Sequence, residues 1–213
     1  MRPPESWRPA RVTLAIAAVT VAAWGVAAAP GLNNPAAEWA GFVPARVGGI
    51  QGDVVRAPLF LTPLSATLVH AGFVHLAMNL LIHLFCGRAV ENIIGPAGLA
   101  ILYVAGAYAA AAAHYAVGPS DVTPMVGASG AISAILGTYA LLFGRNRVKI
   151  ADPRLALWVN ALWLAAAWVG LQVLVGFTFT TVGVLVAIAA HIGGFFAGLL
   201  LAKPLLLLRY RKA

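Results

Sequence analysis

The sequence predicts an all-α polytopic membrane protein of six membrane-crossing helices, with both termini on the cytoplasmic side. Three observations carry this. Hydrophobic residues make up 62% of the 213 and charged residues only 9%, well outside the range of soluble domains. The apolar residues fall in six blocks, 12–29, 67–87, 97–117, 127–143, 155–176 and 181–202, each close to the length that spans a hydrocarbon core. Twelve of the fourteen basic residues lie on one side if those blocks alternate across a bilayer. They are Arg2, Arg8 and Arg11 before the first block, Arg88 after the second, and Arg145, Arg147, Lys149 and Arg154 between the fourth and fifth. Lys203, Arg209, Arg211 and Lys212 follow the sixth. Only Arg46 and Arg56 fall on the other side, so the excess reads as the cytoplasmic face. The net charge of +8 is thus a topology signal, and no nucleic-acid partner is expected.

Taken in order, residues 1–11 form a cytoplasmic segment, 12–203 the membrane domain and 204–213 a basic tail. The first block resembles a signal peptide that ends in "GVAAAP", but its apolar stretch exceeds the usual length, which favours a retained helix. Loop 30–66 is outer and rich in proline, with Trp39, Phe42, Leu59 and Phe60 among them. That composition predicts a segment folded back onto the bundle or the bilayer interface. Loop 118–126 is also outer, and 144–154 is a basic cytoplasmic turn. Trp158, Trp163 and Trp168 recur every five residues, which is no single helical face; Trp158 reads as an interfacial anchor and the others as packing or lipid-facing. The single cysteine, Cys86, excludes an internal disulfide.

Polar side chains inside a membrane are expensive and therefore mark sites. Here they are His70, His75, Asn79, His83, His114, Ser129, Ser133 and His191, with some threonines. No Asp or Glu lies deep in a block, and H-E-x-x-H is absent, which argues against an intramembrane aspartyl protease, a zincin and a carboxylate proton relay. No metal and no cofactor is expected.

Depth follows from helical rise. Counted back from Gly144, Lys203 and Arg88, Ser129 stands about 22 Å, His191 about 18 Å, His75 about 20 Å and Asn79 about 14 Å above the cytoplasmic ends. Three helices thus bring polar groups to similar depth. His75 and Asn79 are i and i+4 and share a face. Ser129 needs a base to become a nucleophile, and His191 is the base at matching depth outside the His75 helix. A serine that opens a helix has free N–H groups beside it, which with His75 and Asn79 can stabilise an oxyanion. Asp121 is the only acid near the fourth block, so a Ser–His dyad is favoured over a triad. Gly127, Gly130, Gly194 and Gly198 supply small residues for close approach of the fourth and sixth helices.

Each feature has a plainer reading. Ser129 alone reads as helix packing, His191 as a bond to a neighbouring carbonyl, and His75–Asn79 as a structural pair. The stripe His75–Asn79–His83 also fits a channel, a transporter or a metal site. The protease reading rests on joint occurrence.

"HAGFVHLAMN", "GRAVENIIG", "GASG" and "AHIGGFFAG", in this order, resemble the rhomboid family of intramembrane serine proteases over about residues 12–203. The resemblance implies a bacterial-type six-helix core with Ser129 as nucleophile and His191 as general base. It places His75, Asn79 and the Ser129 N–H in the oxyanion hole. It implies single-pass transmembrane proteins as substrates, cut near their outer ends at small residues, and membrane lipids as partners. The site would open to the non-cytoplasmic side of a plasma membrane, the inner one in a bacterium. An inactive rhomboid-like binder of membrane helices is a further alternative. Oligomeric state is left open. Two positions depart from the family pattern. Leu61-Thr62 stands where many members have Trp-Arg, and Ser133 where some have an aromatic packed on the histidine.

Overall fold

The computed structural model describes residues 10–29, 32–50, 56–144, 150, 152–181 and 188–211. Arg2, Arg8, Arg145, Arg147, Lys149 and Lys212 lie outside the described residues, as do the side chains of Arg154 and Trp158. The described chain is helical. In order it forms α1 (Arg11–Ala27), α2 (Asn33–Ala40), α3 (Thr62–Ser65), α4 (Phe73–Ile82), α5 (Arg88–Val117), α6 (Ser129–Phe143), α7 (Pro153–Thr181) and α8 (Ile188–Tyr210). A single wide π turn, His83–Gly87, joins α4 to α5 without a break. Among the described residues two runs are long and apolar enough to cross a membrane by length and composition, Phe73–Val117 and Ile188–Tyr210. Arg11–Ala27 and Ser129–Phe143 are apolar but shorter.

The Phe73–Val117 run is two helical pieces. Gly95 takes φ 83 and ψ 167, a conformation open to glycine, and Pro96 after it has no N–H and bars helical geometry at the preceding residue. The second apolar block therefore continues past its expected end at residue 87. Glu91, just beyond that end, is satisfied inside the protein. The Glu91 carboxylate is buried and accepts from the N–H of Val12 (3.0 Å), the N–H of Thr13 (2.8 Å) and the hydroxyl of Thr13 (2.7 Å). It thereby caps α1, whose own Ala10 supplies no capping side chain. Arg209 of α8 donates to the carbonyls of Glu91 (3.2 Å) and Asn92 (2.9 Å); the i+4 residue of Asn92 is Pro96, which has no N–H to offer it. Glu91→Ala is expected to destabilise the fold by about 2–3 kcal/mol, because buried donors lose a charged acceptor; thermal unfolding in detergent measures it.

α5, α6 and α8 form the core, with Leu99, Leu102, Ile135 and Ala134 fully buried. They meet backbone to backbone. A Cβ added at Gly194 would overlap the Gly130 carbonyl, one at Gly198 the Ala134 carbonyl, and one at Gly137 the Phe195 carbonyl. The Thr138 hydroxyl donates to the Gly198 carbonyl at 2.9 Å in the same seam. The outward surface is apolar instead: Val74 is 74%, Leu200 70% and Trp163 65% exposed.

The expectation that loop 30–66 folds onto the bundle is met by its described residues. Phe42 and Met125 pair their backbones at 3.0 and 2.8 Å, joining this loop to segment 118–128. Arg46 donates to the Ala57 carbonyl (3.0 Å), Ser65 to Ala40 (2.7 Å) and Tyr108 of α5 to Phe60 (2.7 Å). These bonds anchor the loop where Leu61-Thr62 replaces the familiar Trp-Arg. α8 continues through Pro204 to Tyr210, so most of the expected basic tail is helical.

Candidate active site

α6 begins at Ser129 because the preceding residues cannot propagate a helix. Gly127 has φ 115, outside helical space. Its N–H donates to the Ala66 carbonyl at 2.9 Å, and the Ala128 N–H points to Nε2 of His70 at 3.5 Å. The first intrahelical bond runs from the Ile132 N–H to the Ala128 carbonyl at 2.9 Å. The N–H groups of Ser129, Gly130 and Ala131 thus stand ahead of the ladder, at the positive end of the helix. Gly127 is therefore a loop residue, not a helix-packing one as expected.

The Ser129 hydroxyl and Nε2 of His191 are 2.7 Å apart. The α6–α8 glycine seam makes this approach geometrically available, since any side chain at Gly194 would push α8 away from Gly130. His75 lies beside the loop that leads into the serine. A Cβ built on Gly127 would lie 2.7 and 2.8 Å from Cε1 and Nε2 of His75 and 3.8 Å from the Ser129 hydroxyl. The imidazole therefore fills the space beside the residue two before Ser129. Asn79 is buried, and its Nδ2 donates to the His75 carbonyl one turn back at 2.8 Å. To reach an oxyanion its amide would have to rotate away from that bond. A groove of about 290 Å³, mouth included, borders Ser129 between Pro63 and Thr67, Met125 to Gly127, and Ala190 of α8.

Other expected residues fall elsewhere. His83 borders a small cavity together with Asn79, Tyr103 and Ala128. It is buried, with Nε2 3.0 Å from the Thr13 carbonyl of α1 and its ring edge-on to Tyr103. Among the described residues no set of three His, Cys, Asp or Glu converges as metal ligands. Asp121 faces its own turn, and the Thr123 N–H at 2.8 Å holds its carboxyl below the usual carboxylate range. Ser133 has a role that the sequence did not reveal: its hydroxyl donates to the Ser129 carbonyl at 2.8 Å. His70 is fully buried, braces the loop before α6 through the Ala128 N–H and packs edge-on to His75 at 5.0 Å between ring centroids. It precedes α4, so helical spacing does not relate it to His75.

Among the described residues, a helical bundle with an apolar outer surface and a part-buried serine–histidine pair defines a membrane protein with a polar site among its helices. The Rhomboid domain family matches residues 59–208, most of the chain, and the protein belongs to the rhomboid family. It is similar to Rhomboid-related protein 2 of Mus musculus, 31% identical over 160 residues, which cover 70% of this chain and 52% of that protein. It is also similar to RHOMBOID-like protein 4 of Arabidopsis thaliana, 33% identical over 144 residues, or 68% of this chain and 34% of that protein. The chain spans about half or less of the length of these relatives.

Proposed function

We propose that the protein is an intramembrane serine endopeptidase that cuts transmembrane helices near their outer ends. The observation that carries this reading is the 2.7 Å contact between the Ser129 hydroxyl and Nε2 of His191. His191 takes the hydroxyl proton as Ser129 attacks the scissile carbonyl, and returns it to the leaving amine. Water then hydrolyses the acyl-enzyme, entering along the groove beside Ser129. The Ser129 N–H, the His75 ring and, after rotation, the Asn79 amide stabilise the oxyanion. The substrate strand must be extended to offer its carbonyl, so single-pass helices with weak helix formers near the cut are preferred.

In this reading six helices cross the bilayer: α1, the two pieces on either side of Gly95, α6, α7 and α8. Both termini are cytoplasmic, and the site faces the opposite side. The start of α6 at Ser129 and the irregular 118–128 segment before it fit this arrangement, because non-helical backbone at membrane depth requires burial in protein or a wet cavity. Single cysteines at Ser120 and Arg211 in a Cys86→Ala chain should react with an impermeant maleimide from opposite faces of the membrane.

A fluorophosphonate probe tests the chemistry. Purified wild-type chain is expected to be labelled and Ser129→Ala to remain unlabelled. Absence of labelling in the wild type, or equal labelling of both, would remove Ser129 as the nucleophile.

A further inference from the structure

The α6-facing side of α8 is held by the glycine seam and the Thr138 bond. Its other side is held by α7, at Trp168. The indole Nε1–H of Trp168 donates to the His191 carbonyl at 3.4 Å, a long bond. The same ring lies stacked on Phe195, with centroids 5.3 Å apart and planes at 16°. Phe195 is four residues beyond His191 and is buried. One side chain therefore spans the helical turn that carries the base, its ring on one end and its N–H at the other. Nearby α7 residues behave differently, with Leu162, Trp163, Leu171 and Leu174 exposed. On α6, the position one turn after the nucleophile is Ser133, whose small side chain turns to the Ser129 carbonyl.

We propose that Trp168 is the positioning residue for His191. It fixes the α8 turn so that Nε2 stays in register with the Ser129 hydroxyl. The inference rests on the Ser129–His191 reading above. Its physical basis is that a reacting pair tolerates little misplacement, about 100-fold in rate for 1 Å. The glycine seam sets how far α8 stands from α6. On the same turn Gly193 packs against Ala113 and the Ala109 carbonyl of α5, and Trp168 closes the remaining side, toward α7. Trp168 also makes α7 the helix whose displacement would release the base.

The test uses the full chain in detergent, with folded enzyme counted by probe titration. Trp168→Phe keeps a stacked ring and removes the N–H; Trp168→Leu removes both; Trp163→Leu changes an exposed residue on the same helix. The readouts are the second-order rate of fluorophosphonate labelling, and kcat and KM for a reporter transmembrane substrate. Trp168→Leu is expected to lower the labelling rate and kcat about tenfold or more, with KM within about twofold. Trp168→Phe should fall between it and the wild type, and Trp163→Leu should match the wild type. Wild-type labelling and kcat in both Trp168 variants would overturn the proposal. So would a change confined to KM, a rise in kcat, or an equal loss in Trp163→Leu. If Trp168→Leu does not fold, Trp168→Phe alone decides the N–H contribution. Undiminished labelling of Ser129→Ala would instead remove the dyad itself, a separate failure.

Discussion

Replacing His191 by alanine is expected to lower cleavage of a transmembrane substrate by about 10⁴-fold or more, and adding Ser129→Ala should lower it hardly further. The reasoning is that a neutral serine hydroxyl is a poor nucleophile and gains its reactivity from an adjacent base. His191 is placed to be that base, 2.7 Å from the hydroxyl. Residues that act as one unit are strongly non-additive, since removing either abolishes the step both serve. What remains in each variant is the contribution of the helix N-terminus and the His75 side, which acts on the carbonyl without either residue. Activity of His191→Ala within tenfold of wild type would remove His191 as base. Two independent, multiplying losses would mean that the residues act in different steps. Because His191 is only partly buried, the variant should keep its fold, and the thermal midpoint provides that control.

Much of the arrangement was legible because helices are regular. Depth counted from helix rise put Ser129, His191 and His75 near one level, and the structure brings the first two together and sets His75 beside Gly127. The small residues of "HIGGFFAG" were legible for the same reason, since i, i+4 spacing defines a stripe whatever lies opposite. What was not legible depended on irregular backbone or distant partners. The helix runs past the end of the second apolar block, through Arg88 and Glu91, because Glu91 is satisfied by another helix. Its partners, Val12 and Thr13, are nearly eighty residues away, and nothing local reveals them. His83 read as one more member of a stripe and does border a cavity with Asn79, but its bond to the Thr13 carbonyl of α1 leaves no local sign in sequence. Tryptophans every five residues gave no face to α7, so nothing singled out Trp168 from Trp163. Ser133 had no reading because a hydroxyl bonded one turn back leaves no pattern in sequence.

"GRAVENIIG" illustrates how a motif can matter to a site without touching it. Glu91 caps α1, Arg209 bonds the carbonyls before Gly95, and His83 one π turn earlier bonds α1 again. α4, which carries His75 and Asn79, is thereby tied at its far end to both α1 and α8. The helix that carries His191 and the helix that carries His75 and Asn79 share one anchor, so loosening that anchor is expected to shift both against Ser129.

Gly127→Ala and Gly198→Ala are expected to fail in opposite ways, and the contrast separates chemistry from packing. At Gly198 the new methyl would overlap the Ala134 carbonyl. A backbone atom in the middle of a helix cannot step aside, so α6 and α8 must separate along the seam. The loss should appear first as stability, about 1–3 kcal/mol as for other overpacked cores, with activity falling as the pair is pulled apart. At Gly127 the methyl meets a side chain instead, the His75 ring at 2.7–2.8 Å, and φ 115 disfavours any residue with a Cβ. The segment must rotate or His75 must leave its place, and both move the groups around Ser129 while the α6–α8 seam stays intact. Gly127→Ala should therefore lose kcat by about 100-fold or more, with a thermal midpoint less affected than that of Gly198→Ala. Gly25→Ala, where a Cβ meets nothing within 4 Å, provides the control and should match the wild type in both measurements. Full activity in Gly127→Ala would mean that His75 has room to move without consequence, and would remove it from the oxyanion side of the site.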